Sequence, residues 1–473
     1  MSQGETGLTG ARPAVSASAL PASLTQILVQ RIDRPVDARA RRRAVLHWLD
    51  WMACVAAGAR APVGAVLRDW RLQPGIACNT PSLLGMAQND YHAMLLDAGP
   101  ANVEEMDDMH RAAILHPGPV VIPALAGVAR RQQPSAAATL DALVRGYEVM
   151  IRIGRVVGPR HYFFWHNTAT VGVFGAAAAC ASALGLSPEQ TVWALGNAGT
   201  QAAGLWQVRL EPVMSKQLHT AHAAWSGMTA ASLAQAGFTG PAFILEGERG
   251  FLAAMCEGAD PAGITALEPD WLIHETSFKP WPACRHTHAS IDCTLALRSQ
   301  EGDQPLHFEA CVVESFADAV GICNNPCPTT RTEAKFSLQY AVVAAAEFGA
   351  LRPEHFDAAS FARADLRERM QRVRVQVAPD ITQRYPSHYG ARVRMTLSDA
   401  RAACHEVRDS LGDPERALSP EAVLDKARKL MAYGGVSEQR IGQAIDAVTR
   451  LLDEDNAAAL AAPFSAGLLQ ALV

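Results

Sequence analysis

A mostly α fold, with a large all-helical domain interrupted by a smaller α+β lid domain, is predicted by three features of the 473-residue sequence. Through most of residues 22–275, Ala and Leu recur three and four apart without β-branched alternation, which is a helical period. Period-two runs are confined to residues 307–407, and helical periodicity returns after residue 419. A chain of this length also exceeds what one hydrophobic core comfortably serves, so two domains are expected.

Taken in order, residues 1–21 are rich in Ser, Ala, Gly and Thr and have neither the basic start nor the apolar run of a signal peptide. They read as a flexible tail. Helices are expected at 24–32, 38–57, 137–158 and 188–205. Ser187-Pro188-Glu189-Gln190 starts the last of these: Ser caps, Pro needs no N–H in the first turn, and Glu189 lies near the positive end of the dipole. The most apolar stretch, 170–186, is packed with Ala and Gly, is too short to span a bilayer, and reads as a buried helix. Strands are expected at 307–314, 373–378, 392–397 and 403–407, with Ser398-Asp399-Ala400 as a turn. Helices at 290–299 and 332–348 accompany them, and helices at 422–431 and 437–452 close the chain. Residues 22–275 and 408–473 are therefore assigned to the helical domain and 276–407 to the inserted lid, with the junction as the natural place for a ligand.

Hydrophobic residues form 49% of the chain and charged residues 19%, the balance of an ordinary globular protein. The net charge of -5 provides no field that would favour nucleic acid, so a bound anion must be met by local cations. Ten scattered cysteines fit a reducing cytoplasm better than a disulfide framework. Cys323 and Cys327, the one close pair, lack the second pair that a zinc or iron-sulfur site of that type needs. There is no phosphate loop and no Rossmann glycine signature, so no nucleotide cofactor is indicated.

Four segments could carry chemistry. Glu104-Glu105-Met106-Asp107-Asp108-Met109-His110 followed by His116-Pro117-Gly118 concentrates four carboxylates and two histidines. Spacing alone leaves open a metal site or a solvated acidic loop. A metal-dependent hydrolase using Asp107, Asp108, His110 and His116 is one reading of it. His161, Tyr162 and His166 lie in an aromatic stretch, and His166 immediately precedes the Ala-rich helix, whose N-terminal amides could hold a carboxylate. Lys216 begins another helical stretch. Lys279, in the Pro- and Trp-rich loop 278–288 with Arg285 and His288, sits at the expected domain boundary, where cations could clamp a dianion.

In this order the segments resemble the MmgE/PrpD family over nearly the whole chain. The resemblance rests on Asp107 to Gly118, Gly146-Tyr147-Glu148, His166-Asn167-Thr168-Ala169-Thr170, and Ala194 to Leu205. It continues through Lys216, Gly237-Phe238-Thr239-Gly240-Pro241, Lys279-Pro280-Trp281-Pro282, and Ala334-Lys335-Phe336-Ser337-Leu338-Gln339-Tyr340. It implies a helical domain with an α+β lid, a homodimer, a cleft site, and proton chemistry beside a carboxylate with no metal and no cofactor. His116, His166, Lys216, Lys279 and Tyr340 match the family's active-site positions. Glu105, Asp107, His110, Tyr162, Thr168, Arg285 and His288 are assigned to binding or orienting the substrate. Glu105 and Met109 depart from the family's usual Asp and Thr, which should reshape the pocket. The expected activity is that of a dehydratase or decarboxylase of a small di- or tricarboxylic acid. An epimerase of an amino- or imino-dicarboxylate and a non-catalytic binder of organic acids are the alternatives.

Overall fold

The computed structural model describes residues 21–70, 78–211, 213–302 and 304–452. All but the last residue of the expected tail, residues 1–21, lies outside the described residues, as does the end of the expected helical domain beyond 452. Of the described residues 59% are helical and 9% in strands, a mostly α fold.

The helix Leu24–Ile32 is set by a capping box in which Ser23 and Gln26 satisfy each other's backbone amides. The helix Ala38–Gly58 is buried on nearly every side over its second half and brings His47 and Asp50 into the interior. The buried helix expected over 170–186 is present as Gly172–Ala183, with a separate short helix before it. A four-residue helix, Asn167–Thr170, ends at Val171, and Gly172–Ala183 begins anew. The second piece is buried from Gly172 to Ala181. Its small side chains admit close neighbours: a Cβ on Gly175 would meet Met150 Cβ at 2.7 Å and the Gly146 carbonyl at 3.0 Å. The expected helix at 332–348 divides, into Arg331–Lys335 and Leu338–Phe348, because Ser337 turns its hydroxyl to cap Tyr340 N.

Two hydrophobic clusters organise the chain. The larger runs from Leu28 to Ile273 and takes in Ala427, Leu430, Met431, Ile441 and Val448 from the last two helices. The smaller gathers residues between Ala283 and Val407. Its sheet has four strands, Phe308–Ser315, Val373–Val377, Ala391–Leu397 and Ala402–Val407. Phe308–Ser315 pairs in parallel with Val373–Val377 and antiparallel with Ala391–Leu397, which pairs antiparallel with Ala402–Val407. The helices Arg285–Gln300 and Leu338–Phe348 contribute Ile291, Leu297, Val342 and Ala345 to the same cluster. Among the described residues no helix is long and apolar enough to cross a membrane.

Candidate active site

The acidic segment is buried. Glu104, Glu105, Asp107 and Asp108 all lie inside, and each carboxylate has been given a cation or a set of hydrogen-bond donors. Glu104 pairs with Lys335 and Arg331, both at 2.7 Å. Asp108 receives Tyr147 Oη at 2.7 Å and the Gly118 amide at 2.9 Å, with His47 Nδ1 at 2.7 Å. These contacts make Glu104 and Asp108 anchors of the segment. A solvated acidic loop is excluded by this burial.

Glu105 and Asp107 point to a different place. Glu105 adopts a left-handed backbone, φ +56°, rare for a residue with a Cβ. Such a conformation costs about 1–3 kcal/mol, and here two ammonium groups hold the side chain it presents. Lys216 Nζ bonds Glu105 Oε1, and Lys279 Nζ lies 3.4 Å from Glu105 Oε2. Lys279 is also 3.4 Å from Asp107 Oδ1, whose other oxygen is 2.9 Å from His116 Nδ1. His116 Nδ1 is 2.8 Å from the Asp108 carbonyl as well. One backbone carbonyl and one carboxylate oxygen at Nδ1 place a proton there and leave Nε2 for exchange with a ligand.

Local structure explains how these side chains converge. Met109 and Ser277 form a two-way backbone bridge, 3.0 and 2.7 Å, which ties the acidic segment to the loop that carries Lys279. Lys216 stands in the first turn of the helix Ser215–Gln235, and His219 follows on the same face. His166 precedes the helix Asn167–Thr170, with its amide on the Gly204 carbonyl at 2.9 Å. Its ring lies 4.3 Å from the Trp206 ring, centroid to centroid, and its Nδ1 is 3.4 Å from His219 Nδ1. Thr168 Oγ1 accepts the His116 amide at 3.1 Å, so the two histidine segments are joined directly.

The electrostatics follow from burial and pairing. Burial alone would raise the Glu105 carboxyl, but Lys216 and Lys279 outweigh it and hold the group at about 2. Asp107 is likewise held below the usual carboxylate range, because His116 and Lys279 overcome its burial. Burial would lower Lys279, yet Asp107 and Glu105 raise it, so the ammonium stays charged although the residue has no solvent exposure. His166 is pushed well below the ordinary histidine range by burial and by neighbouring Lys216 and His219. The site thus holds a charged Lys279 ammonium, the ionised carboxylates of Glu105 and Asp107 and a neutral His166 imidazole at physiological pH.

Of the twelve residues named from sequence, His116, His166, Lys216, Lys279, Glu105, Asp107 and Thr168 come together. Tyr162 stands beside them, its ring 6.0 Å from the Trp206 ring. Four others find protein partners where a substrate role was expected. The Tyr340 hydroxyl donates to the His355 carbonyl, and its ring is enclosed by Phe356 and Phe361 in the smaller core. Arg285 pairs with buried Asp413, and His288 has both ring nitrogens occupied, by Arg285 at 3.1 Å and the Ala283 carbonyl at 3.0 Å. His110 lies 3.6 Å from Glu275, and the two line a separate surface cavity with Arg111, Ser387 and Pro414. The proposed metal set of Asp107, Asp108, His110 and His116 is not a cluster: Asp108 and His110 turn to other partners. Sequence reasoning missed His219 and Trp206. The i, i+3 spacing of Lys216 and His219 was the available signal for the first; no comparable signal marked Trp206.

Comparison with known proteins agrees with the order of these segments. Residues 26–263 match the MmgE/PrpD N-terminal domain and residues 281–451 the MmgE/PrpD C-terminal domain. A cis-aconitate decarboxylase-like protein of Aspergillus oryzae is 28% identical over 356 residues, covering 69% of this chain and 72% of that protein. The human cis-aconitate decarboxylase is 26% identical over 339 residues, 68% of this chain and 69% of its own length. For the mouse enzyme of that name the figures are 28% over 273 residues, 56% and 55%. The chain belongs to the MmgE/PrpD family.

Proposed function

We propose that the chain is a metal-independent lyase that decarboxylates a short unsaturated tricarboxylate, with cis-aconitate the first substrate to test. The observation that carries this reading is the convergence of Lys216 and Lys279 on one carboxylate, that of Glu105, beside the His116–Asp107 pair. Cations that already hold a carboxylate in a buried site are suited to hold one of a substrate. The curated relatives named as cis-aconitate decarboxylases favour decarboxylation over dehydration.

In this reading the bond between carbon and one carboxylate breaks and CO2 departs. The electron pair left on carbon delocalises toward a neighbouring carboxylate, where Lys216 and Lys279 stabilise the developing charge. A proton from His116 then ends at carbon, and solvent returns one to the imidazole. Asp107 orients His116, and neutral His166 serves as the second proton-exchanging group. Thr168 fixes the distance between the histidine segments. The division into a helical body and an inserted lid over residues 276–407 belongs to the same proposal, as do a homodimer and a cytoplasmic setting. A self-association surface is available near the cleft, where Phe163, Phe164, Leu205, Leu210 and Leu218 are exposed.

Incubation with cis-aconitate in deuterated water, followed by NMR, tests the reading. The expected result is CO2 release with deuterium at one carbon of the product, lost in His166→Gln. Absence of turnover would refute the substrate, deuterium exchange with inverted configuration and no CO2 would indicate an epimerase, and full turnover in His166→Gln would remove that residue's role.

A further inference from the structure

Three soft donors meet next to the ion-pair cluster without pairing with its carboxylates. Cys284, His286 and Cys323 are all buried, and their donor atoms lie within 4.8 Å of one another. Cys284 Sγ is 3.2 Å from His286 Nδ1, and Cys323 Sγ lies within 4.8 Å of both. The residues come from two places. Cys284 and His286 stand at the start of the helix Arg285–Gln300, where the Cys284 amide is fixed on the Lys335 carbonyl at 2.9 Å. Cys323 ends the helix Ala317–Cys323. The imidazole is oriented by an aromatic surround, stacked on Tyr389 at 5.6 Å and 23° with Phe316 at 5.4 Å.

We propose that Cys284, His286 and Cys323 form a site for a thiophilic divalent cation, zinc in the first instance. Tetrahedral zinc with sulfur at about 2.3 Å and nitrogen at about 2.0–2.1 Å places its ligand atoms about 3.6–3.8 Å apart. The Cys284–His286 separation of 3.2 Å would open slightly, and the upper bound of 4.8 Å on the others would close by up to about 1 Å, to reach that. Two thiolates and one imidazole are a zinc-type set, and the fourth position is left to water or an anion. Binding removes one proton from each thiol, which passes to solvent, and the two thiolates balance the charge of the cation. A lone buried cysteine behaves as a small apolar side chain, and Cys54 and Cys180 sit in the larger core in that way. Convergence of two thiols and an imidazole from segments almost forty residues apart is a different arrangement. The site adjoins Lys279 and Glu105, but the proposed lyase chemistry uses none of its three ligands, and either proposal can fail alone.

The test is equilibrium dialysis of the metal-free full chain against zinc at neutral pH, with cobalt(II) as the spectroscopic probe. The expected result is about one zinc per chain and, with cobalt, the thiolate-to-metal charge-transfer absorption of a tetrahedral site. Cys284→Ser and Cys323→Ser should each weaken zinc binding at least tenfold with unchanged circular dichroism, and His286→Ala provides a third variant if either fails to fold. Replacing the exposed Cys327 and Cys404 with Ser should leave binding intact. No retained zinc in the parent chain, or zinc retained undiminished in Cys284→Ser and Cys323→Ser, would overturn the proposal.

Discussion

Replacing Glu105 with Gln removes the carboxylate on which Lys216 and Lys279 converge while preserving its size. In the folded protein this carboxyl is held at about 2 against an ordinary 4.5, because the two ammoniums outweigh its burial. At about 1.4 kcal/mol per pH unit of displacement, ionised Glu105 contributes about 3 kcal/mol to folding at neutral pH. Because the folded value is depressed, that contribution is complete above about 4.5, shrinks as the pH falls, and is gone below about 2. Gln mimics the protonated acid, so the variant should be about 3 kcal/mol less stable than the parent at pH 7, and the gap should narrow toward pH 3. Two hydrophobic clusters make a two-state extrapolation unsafe, so urea midpoints of parent and variant should be compared at each pH. Equal midpoints at pH 7, or a gap that stays constant down to pH 3, would refute the claim that the lysines hold Glu105 ionised.

Lys216→Met should raise KM for a polycarboxylate about tenfold to a hundredfold, the loss of one charge-assisted hydrogen bond of about 1.5–3 kcal/mol. An unchanged KM in steady-state assays would contradict its role in holding a carboxylate. His166, neutral because burial and Lys216 disfavour its charged form, should show no imidazole titration by NMR from pH 8 to pH 6. A midpoint near 6.5 would contradict the burial argument. Tyr340→Phe removes only the hydrogen bond to the His355 carbonyl, so it should cost about 1 kcal/mol of stability and leave turnover within about twofold. A hundredfold loss of kcat in a folded variant would return Tyr340 to the catalytic set.

Much of the architecture was legible because it is local. Ser23 and Gln26 fix the start of the first helix, and Val373, Val375 and Val377 betray their strand by alternation. The break at Ser337 in the helix expected over 332–348 was not legible, since it comes from a side-chain cap. Parallel pairing of Phe308–Ser315 with Val373–Val377 also depends on contacts some sixty residues apart, which periodicity does not encode. At the site, the reactive residue types could be picked from the order of the segments. Which of them face one another could not: Arg285, His288 and Tyr340 carry the same chemistry as their neighbours and are committed to protein partners. The buried acidic run shows the converse. Its sequence looks solvated, and partners far along the chain, such as Lys335 for Glu104 and Lys279 for Glu105 and Asp107, make its burial possible.

A crystal structure of the chain with a bound short tricarboxylate tests the central claim most directly. The expected structure has one substrate carboxylate within hydrogen-bond distance of both Lys216 Nζ and Lys279 Nζ, and a substrate carbon within reach of His116 Nε2 or the His166 ring. An anion seated elsewhere, with both ammoniums still committed to Glu105 and Asp107 alone, would contradict it.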